Sequence, residues 1–450
     1  MMKKLVLTVT AASLVAGCGI VGGKKGPVTP TVGQRIPVLS SESGIAVDPV
    51  LASVPVTLPA VTNNTDWAQP GGGATKSLGH LALGTSIGRA WTAEISGSTQ
   101  RTRLAAAPVV ANNTVFVMDT GATLRAIDAA TGSTRWTAKV GEVSGSRSFW
   151  TGENTGNSGA VFGGGASYDN GRVYATNGIG DVVAFDAATG NQLWKARPGG
   201  PLRGAPTIAY DSAYVLSQDN QLYALNTADG ALRWQGSGSL EQAAVFGVAA
   251  PAAGQGTVVA GFSSGELTAF RYENGQPVWG DALTRTSIST AVTNLSDVDA
   301  DPVIDNGRVY AVGQGGRMVA IDLVTGQRLW EINIAGISTP WVAGDWIYVV
   351  TDDAQLLAIA RETGRVRWMT QLPRYKDEED KKGPISWVGP VLAGDRLIVA
   401  SSEGQISNVS PLDGAIQTTV ETKMPVSLPL VVANNTLYVL HDSGKLTAWR

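Results

Sequence analysis

The chain has 450 residues, 43% of them apolar and 16% charged, with 55 glycines and a formal net charge of −3. Low charge with this much apolar material excludes a largely disordered chain, and the charge balance provides no global basic field for nucleic acid. One cysteine excludes an internal disulfide framework and a cysteine-based zinc cluster, and two histidines leave little for a metal site or a catalytic triad, so no cofactor is expected.

Residues 1–17 read as a secretory signal: Lys3 and Lys4 precede an apolar stretch, Leu5–Ala16, too short to span a bilayer. Val15-Ala16-Gly17-Cys18 resembles a bacterial lipobox, with an apolar residue, two small residues and then the cysteine to be acylated. Cys18 is thus the expected lipidation site. The sorting rules that the motif implies favour the outer membrane, facing the periplasm, because Gly19 is not the retaining aspartate. Several acyl chains on one residue anchor firmly where one would be marginal. Residues 18–79 are expected to be the lipidated cysteine and a flexible tether, and 80–450 the folded body.

A lone strand is expected in GRAWTAEI (88–95). A repeat follows: AIDAATGSTRW (126–136), AFDAATGNQLW (184–194), ALNTADGALRW (224–234), AFRYENGQPVW (269–279), AIDLVTGQRLW (320–330) and AIARETGRVRW (358–368). A seventh copy, NVSPLDGAIQT (408–418), keeps the glycine and loses the tryptophan. Eight apolar runs, from VFVM (115–118) to LYVL (437–440), lie upstream of the copies and near the C-terminus. The unit is strand, turn, strand ending in Ala, glycine turn, strand ending in Trp. Small alanines suit close sheet approach, glycines supply the positive φ that ends a hairpin, and indoles wedge between sheets.

A period of 38–58 residues with three or four strands per unit is a β-propeller pattern. The C-terminus stops one strand short of a repeat, and the segment around Trp91 supplies a strand of the missing kind. The expected fold is therefore all-β: an eight-bladed β-propeller of four-stranded blades, closed by the N-terminal strand joining the C-terminal blade. Seven blades is the alternative, if the degenerate copy is decorative. Two insertions, Ser144–Gly165 and Arg374–Lys382, read as solvated loops or as binding elements. No phosphate loop or dinucleotide fingerprint occurs, and His80 and His441 read as polar turn residues.

The AxDxxTGxxxW pattern also occurs in quinoprotein dehydrogenases, but no cysteine pair or calcium-binding carboxylate set stands out here. The segments NLSDVDADPVIDNGRVYAV (294–312) and PLRGAPTIAYDSAYVL (201–216) are narrower signals. With the lipobox, tether and blades, they resemble the BamB family, lipoprotein subunits of the outer-membrane β-barrel assembly machinery. The resemblance covers about 80–450. It implies a non-catalytic adaptor contacting POTRA domains of a BamA-like protein through Leu202, Arg203, Asp297 and Asp299. It also implies other machinery subunits and unfolded outer-membrane proteins as partners, and no nucleic acid. The family's additional leucine, two residues before Leu202, falls on Gly200.

Both segments precede the first strand of a blade, so they should open on one rim of the disc. An exposed Leu202 would supply apolar contact, and the Arg and Asp side chains directional bonds. The bland alternative is that Arg203 and the two aspartates bond one another. Two further functions stay open on the sequence alone: a quinoprotein-like (PQQ) periplasmic dehydrogenase, or a propeller for another envelope partner.

Overall fold

The computed structural model describes residues 45–141, 162–239, 247–283 and 297–450. Each repeat folds into a four-stranded antiparallel sheet in simple meander order, and eight such sheets form the ring. Blades 1–7 span 109–139, 164–196, 207–237, 252–282, 303–332, 341–371 and 387–421. The strands of a blade are called a to d from the inside outward. Strand a is short, three residues in blades 1, 3, 4, 5, 6 and 8. The degenerate copy forms a complete blade 7, which disposes of the seven-blade alternative.

Blade 8 is composite. Val431–Ala433, Thr436–Leu440 and Lys445–Trp449 come from the C-terminus, and Arg89–Glu94 adds as the outer strand, with Trp91 opposite Ala448. Gly88 and Arg450 exchange both backbone hydrogen bonds, at 2.6 and 2.9 Å, where the added strand meets the last residue. This junction gives blade 8 its fourth strand and so closes the ring.

The repeat columns take on definite jobs. The alanines of strand c, such as Ala126, Ala224 and Ala358, are completely buried where blades abut. Asp128 Oδ1 accepts from the backbone N of Ala130 and Thr131, both at 2.9 Å, which starts the c–d turn. Seven indoles each lie on the turn glycine of the following blade. Trp136, for example, donates from Nε1 to Ala187 O at 3.0 Å, and a Cβ on Gly190 would fall 2.6 Å from its ring. These glycines also adopt positive φ, +75° at Gly190. One residue type thus satisfies two demands, left-handed backbone and a flat bed for the indole.

The described part of the tether region is not a tether. Val47 forms a parallel bridge to Val366 on the outer edge of blade 6, and Asp48 caps a one-turn helix, Pro49–Ala52, packed on the same strand. From Pro59 onward the chain makes a full circuit of the channel mouth on the rim of the a–b turns. Asn64 Nδ2 donates to Val432 O of blade 8, Trp67 pairs with Val110 of blade 1, and Ala68 O accepts from Tyr168 N of blade 2. Gln69 bonds Ile208 N and O of blade 3, Ala74 and Thr75 accept from blades 4 and 5, Gly79 from Trp341 of blade 6, and Leu81 pairs with blade 7. Thr62 meets His80 and Ala82 to close the loop on itself.

This strap touches the inner strands in the order in which they stand around the ring. Its composition, rich in Gly, Pro, Ser and Thr, resembles a linker because most of its anchoring backbone bonds go to the inner strands of the blades, with a few turns of its own. Trp67, Gln69, Lys76 and His80 are buried in it. Residues from Ile45 onward therefore belong to the folded body, which does not start at residue 80. His80 and His441 do lie in turns, where both are buried and hydrogen-bonded.

Of the two insertions, Arg374–Lys382 forms part of a short hairpin, Tyr375–Asp377 against Lys382–Pro384, tied to a turn of blade 7 by a Lys376–Glu403 ion pair at 2.8 Å. Most of Ser144–Gly165 lies outside the described residues.

Candidate partner-docking site

In a meander blade, the d-to-a crossovers and the b–c turns lie on one rim, opposite the a–b turns and the strap. Leu202 and Arg203 sit in the crossover from blade 2 to blade 3. Asp297 and Asp299 sit in the crossover from blade 4 to blade 5. Both segments do open on the same rim. Asn294, Leu295 and Ser296 of the second segment lie outside the described residues.

The backbone of the first segment is stitched to its surroundings. Arg203 N donates to Leu216 O at 2.8 Å, Gly164 N donates to Arg203 O at 2.6 Å, and Gln218 N donates to Pro201 O at 2.7 Å. Here the expectation of an exposed leucine fails. Leu202 has no exposed surface and packs between blades 2 and 3, with Tyr174, Trp194 and Tyr223. Antiparallel bridging to Ser217 turns its side chain inward.

Arg203 is equally sequestered. Its Nη2 donates to Asp297 Oδ1 at 2.7 Å and stands 3.7 Å from Asp299 Oδ1. Asp299 Oδ1 in turn accepts from Val248 N at 2.6 Å and Ala249 N at 3.3 Å. One guanidinium thus ties together the crossovers 2–3, 3–4 and 4–5. Gly247 is where the backbone passes closest, since a Cβ there would lie 1.9 Å from Nη2. The alternative weighed from sequence, that the Arg and Asp side chains bond each other, describes what the fold does with them.

The electrostatics follow from burial. Desolvation pushes the Asp299 carboxyl up to about 6, against the pull of Arg203 and with the push of Asp297. Among the described residues, Arg203 Nε and Nη1 and Asp297 Oδ2 have no hydrogen-bond partner. Beside this network Pro201, Gln218 and Asp219 show surface among the described residues, and the sequence assigned a role to none of them. Their only signal was position beside the stitched segment.

The family model for "Outer membrane protein assembly factor BamB" matches residues 79–162 and 141–370. The chain belongs to the BamB family. The BamB of Yersinia pestis is 26% identical over 344 residues, 76% of this chain and 83% of that protein. The BamB of Escherichia coli K12 is 26% identical over 307 residues, 68% of this chain and 74% of that one. Among solved structures, BamB from Moraxella catarrhalis superposes with a TM-score of 0.66 at 18% identity, covering 81% of this chain and all of that one. A quinohemoprotein alcohol dehydrogenase from Comamonas testosteroni reaches the same TM-score at 13% identity, covering 86% of this chain and 80% of that one. At those identities the structural likeness speaks to the propeller alone.

Proposed function

We propose that this protein is a BamB-type accessory subunit of the outer-membrane β-barrel assembly machinery, a non-catalytic adaptor held at the periplasmic face by lipid on Cys18. Its partner is the POTRA region of a BamA-like barrel-inserting subunit, alongside the other subunits of the machinery. The observation that carries the reading is the family match, which runs through blades 1–6 and includes both crossover segments. The quinoprotein dehydrogenases share the blade plan, which accounts for their likeness without any shared chemistry.

Leu202, Arg203, Asp297 and Asp299 serve docking from beneath. The Arg203 network fixes three consecutive crossovers, so the partner meets a preformed rim at little ordering cost. Contact itself falls to the surface over it, Pro201, Gln218 and Asp219, and to the neighbouring crossovers. The deciding experiment is affinity purification of the full-length lipoprotein from detergent-solubilised envelopes. Co-elution of a POTRA-bearing barrel protein is the expected result, and its absence from a stable, outer-membrane-localised preparation would overturn the reading.

A further inference from the structure

The outer strand of blade 7, Ile416–Glu421, is unlike the other seven. Each of its six residues is exposed, Ile416 and Val420 at 46% and 47%. Every other outer strand carries Arg, Lys, Asp, Pro or Gly among its first five residues, and Val47 with Pro49–Ala52 also covers that of blade 6. Ile416-Gln417-Thr418-Thr419-Val420 carries none, so mostly β-branched residues line an edge with no blunting residue before Glu421. Beside it, at the seam where Thr418 stands in the tryptophan column, Arg89, Val420, Glu421, Thr422, Met424 and Trp449 line an open groove of about 300 Å³. The bulge after the c–d turn falls at Gln417. From there the ladder to strand c is regular over Thr418–Glu421 and continues as Thr422 N donating to Gly404 O at 2.8 Å. Alternation puts Thr418, Val420 and Thr422 on one face, the face of the groove.

We propose that this edge pairs with the same edge of a second copy of the chain, antiparallel and centred on Val420. A two-fold axis there sets Val420 against Val420 of the second copy and Thr418 against Thr422. Thr419 then meets Glu421, so no like charges stand opposite, while the β-branched and Thr–Thr pairs are favourable ones. A two-fold contact demands a patch complementary to itself, and the Thr-x-Val-x-Thr run is such a patch. That symmetry selects a second copy over a strand of another protein. Val420 of the second copy also comes to lie along the groove, where Met424 and Trp449 offer apolar surface. Two four-stranded blades become one continuous sheet, and the open edge disappears. The edge lies on the outer wall of the ring, so pairing leaves the crossover rim free. Five residues of edge make a small interface, so the dimer forms with rising concentration and is not obligate.

Cys18 is the only native cysteine, so in the full chain carrying Cys18→Ala an added cysteine reports the register. Under mild oxidation Val420→Cys should give a disulfide-linked dimer, because opposed residues on paired strands stand within disulfide reach. Thr418→Cys and Thr422→Cys should each stay monomeric alone and cross-link when mixed. In sedimentation equilibrium the mass of the Cys18→Ala chain should double with rising concentration. Val420→Lys should abolish that rise without changing melting. A Val420→Cys chain that cross-links no more than Thr418→Cys, or a mass that stays at one chain throughout, would overturn the proposal. Cross-linking of Val420→Cys in cells to a different protein, with the purified chain monomeric, would overturn the second copy in favour of another strand. None of these outcomes bears on the assembly reading, which the affinity purification tests separately.

Discussion

Trp368 of blade 6 lies flat on Gly414 of blade 7: its Nε1 donates to Pro411 O at 3.1 Å, and a Cβ on Gly414 would fall 2.6 Å from the indole. The same clasp joins every pair of successive blades except 7 and 8. At that junction the c–d turn of blade 8 is replaced by the meeting of Gly88 with Arg450, and the tryptophan column of blade 7 holds Thr418. The degenerate repeat is thus degenerate for a reason. An indole there would have no glycine turn to rest on.

The clasp predicts a paired outcome. Gly414→Ala forces positive φ on a residue with a Cβ and drives that atom into Trp368, which should cost about 2–4 kcal/mol. Trp368→Ala, which opens a cavity, should cost about 3–5 kcal/mol. Thr418→Trp should add no stability. Urea unfolding of the three variants checks this, and a clear gain from Thr418→Trp would mean that the eighth junction can be clasped after all.

The strap makes its own prediction. Trp67 is 3% exposed, stacks on Trp341 with ring centroids 6.1 Å apart, and exchanges backbone bonds with Val110. Trp67→Ala should therefore destabilise by about 3–5 kcal/mol, as core truncations do. Removing 18–44 should leave melting unchanged, whereas removing 18–84 should lower it. Equal melting of both truncations would mean that the circuit contributes nothing to the ring.

Burial reverses the simplest expectation for Arg203. A surface Arg→Ala change usually stays within about 0.5 kcal/mol. Arg203→Ala leaves Asp297 and Asp299 facing each other without their cation, so a loss of about 3–5 kcal/mol is expected. Binding of the POTRA region should weaken even at temperatures where the variant is fully folded, because three crossovers lose their common tie. Calorimetry and binding measured side by side separate the effects. A variant that is destabilised yet binds normally once folded would remove the network from docking.

Asp299 gives the pH dependence. Burial raises its carboxyl to about 6 in the folded protein, against an ordinary aspartate value of 3.8. The native state then binds more protons than the unfolded state between those values, so this group's contribution falls as pH rises from about 4 to 6. Two units correspond to roughly 2–3 kcal/mol. Asp299→Asn should flatten that fall in stability across the same window. Identical slopes for the variant and wild type would show that Asp299 titrates normally.

The eight-bladed ring was legible in the chain because each blade repeats a local pattern: Asp or Asn opening a turn, Gly closing it, Trp ending a strand. Trp91 with the truncated last repeat even disclosed the ring closure. Local pattern also located Leu202, Arg203, Asp297 and Asp299 on one rim, since strand count alone sets which rim a crossover occupies. It did not disclose that Leu202 turns inward or that Arg203 is sealed among three crossovers. Those facts depend on bonds to Leu216 and Val248 and on neighbours contributed by other blades. The strap was illegible for the same reason. Asn64, Trp67, Gln69 and Leu81 have no periodicity of their own, and their partners lie on inner strands spread from residue 110 to residue 432. Repetition is written in the sequence at short range, whereas burial of a non-repeating segment is decided only when the closed ring presents it with a mouth to line.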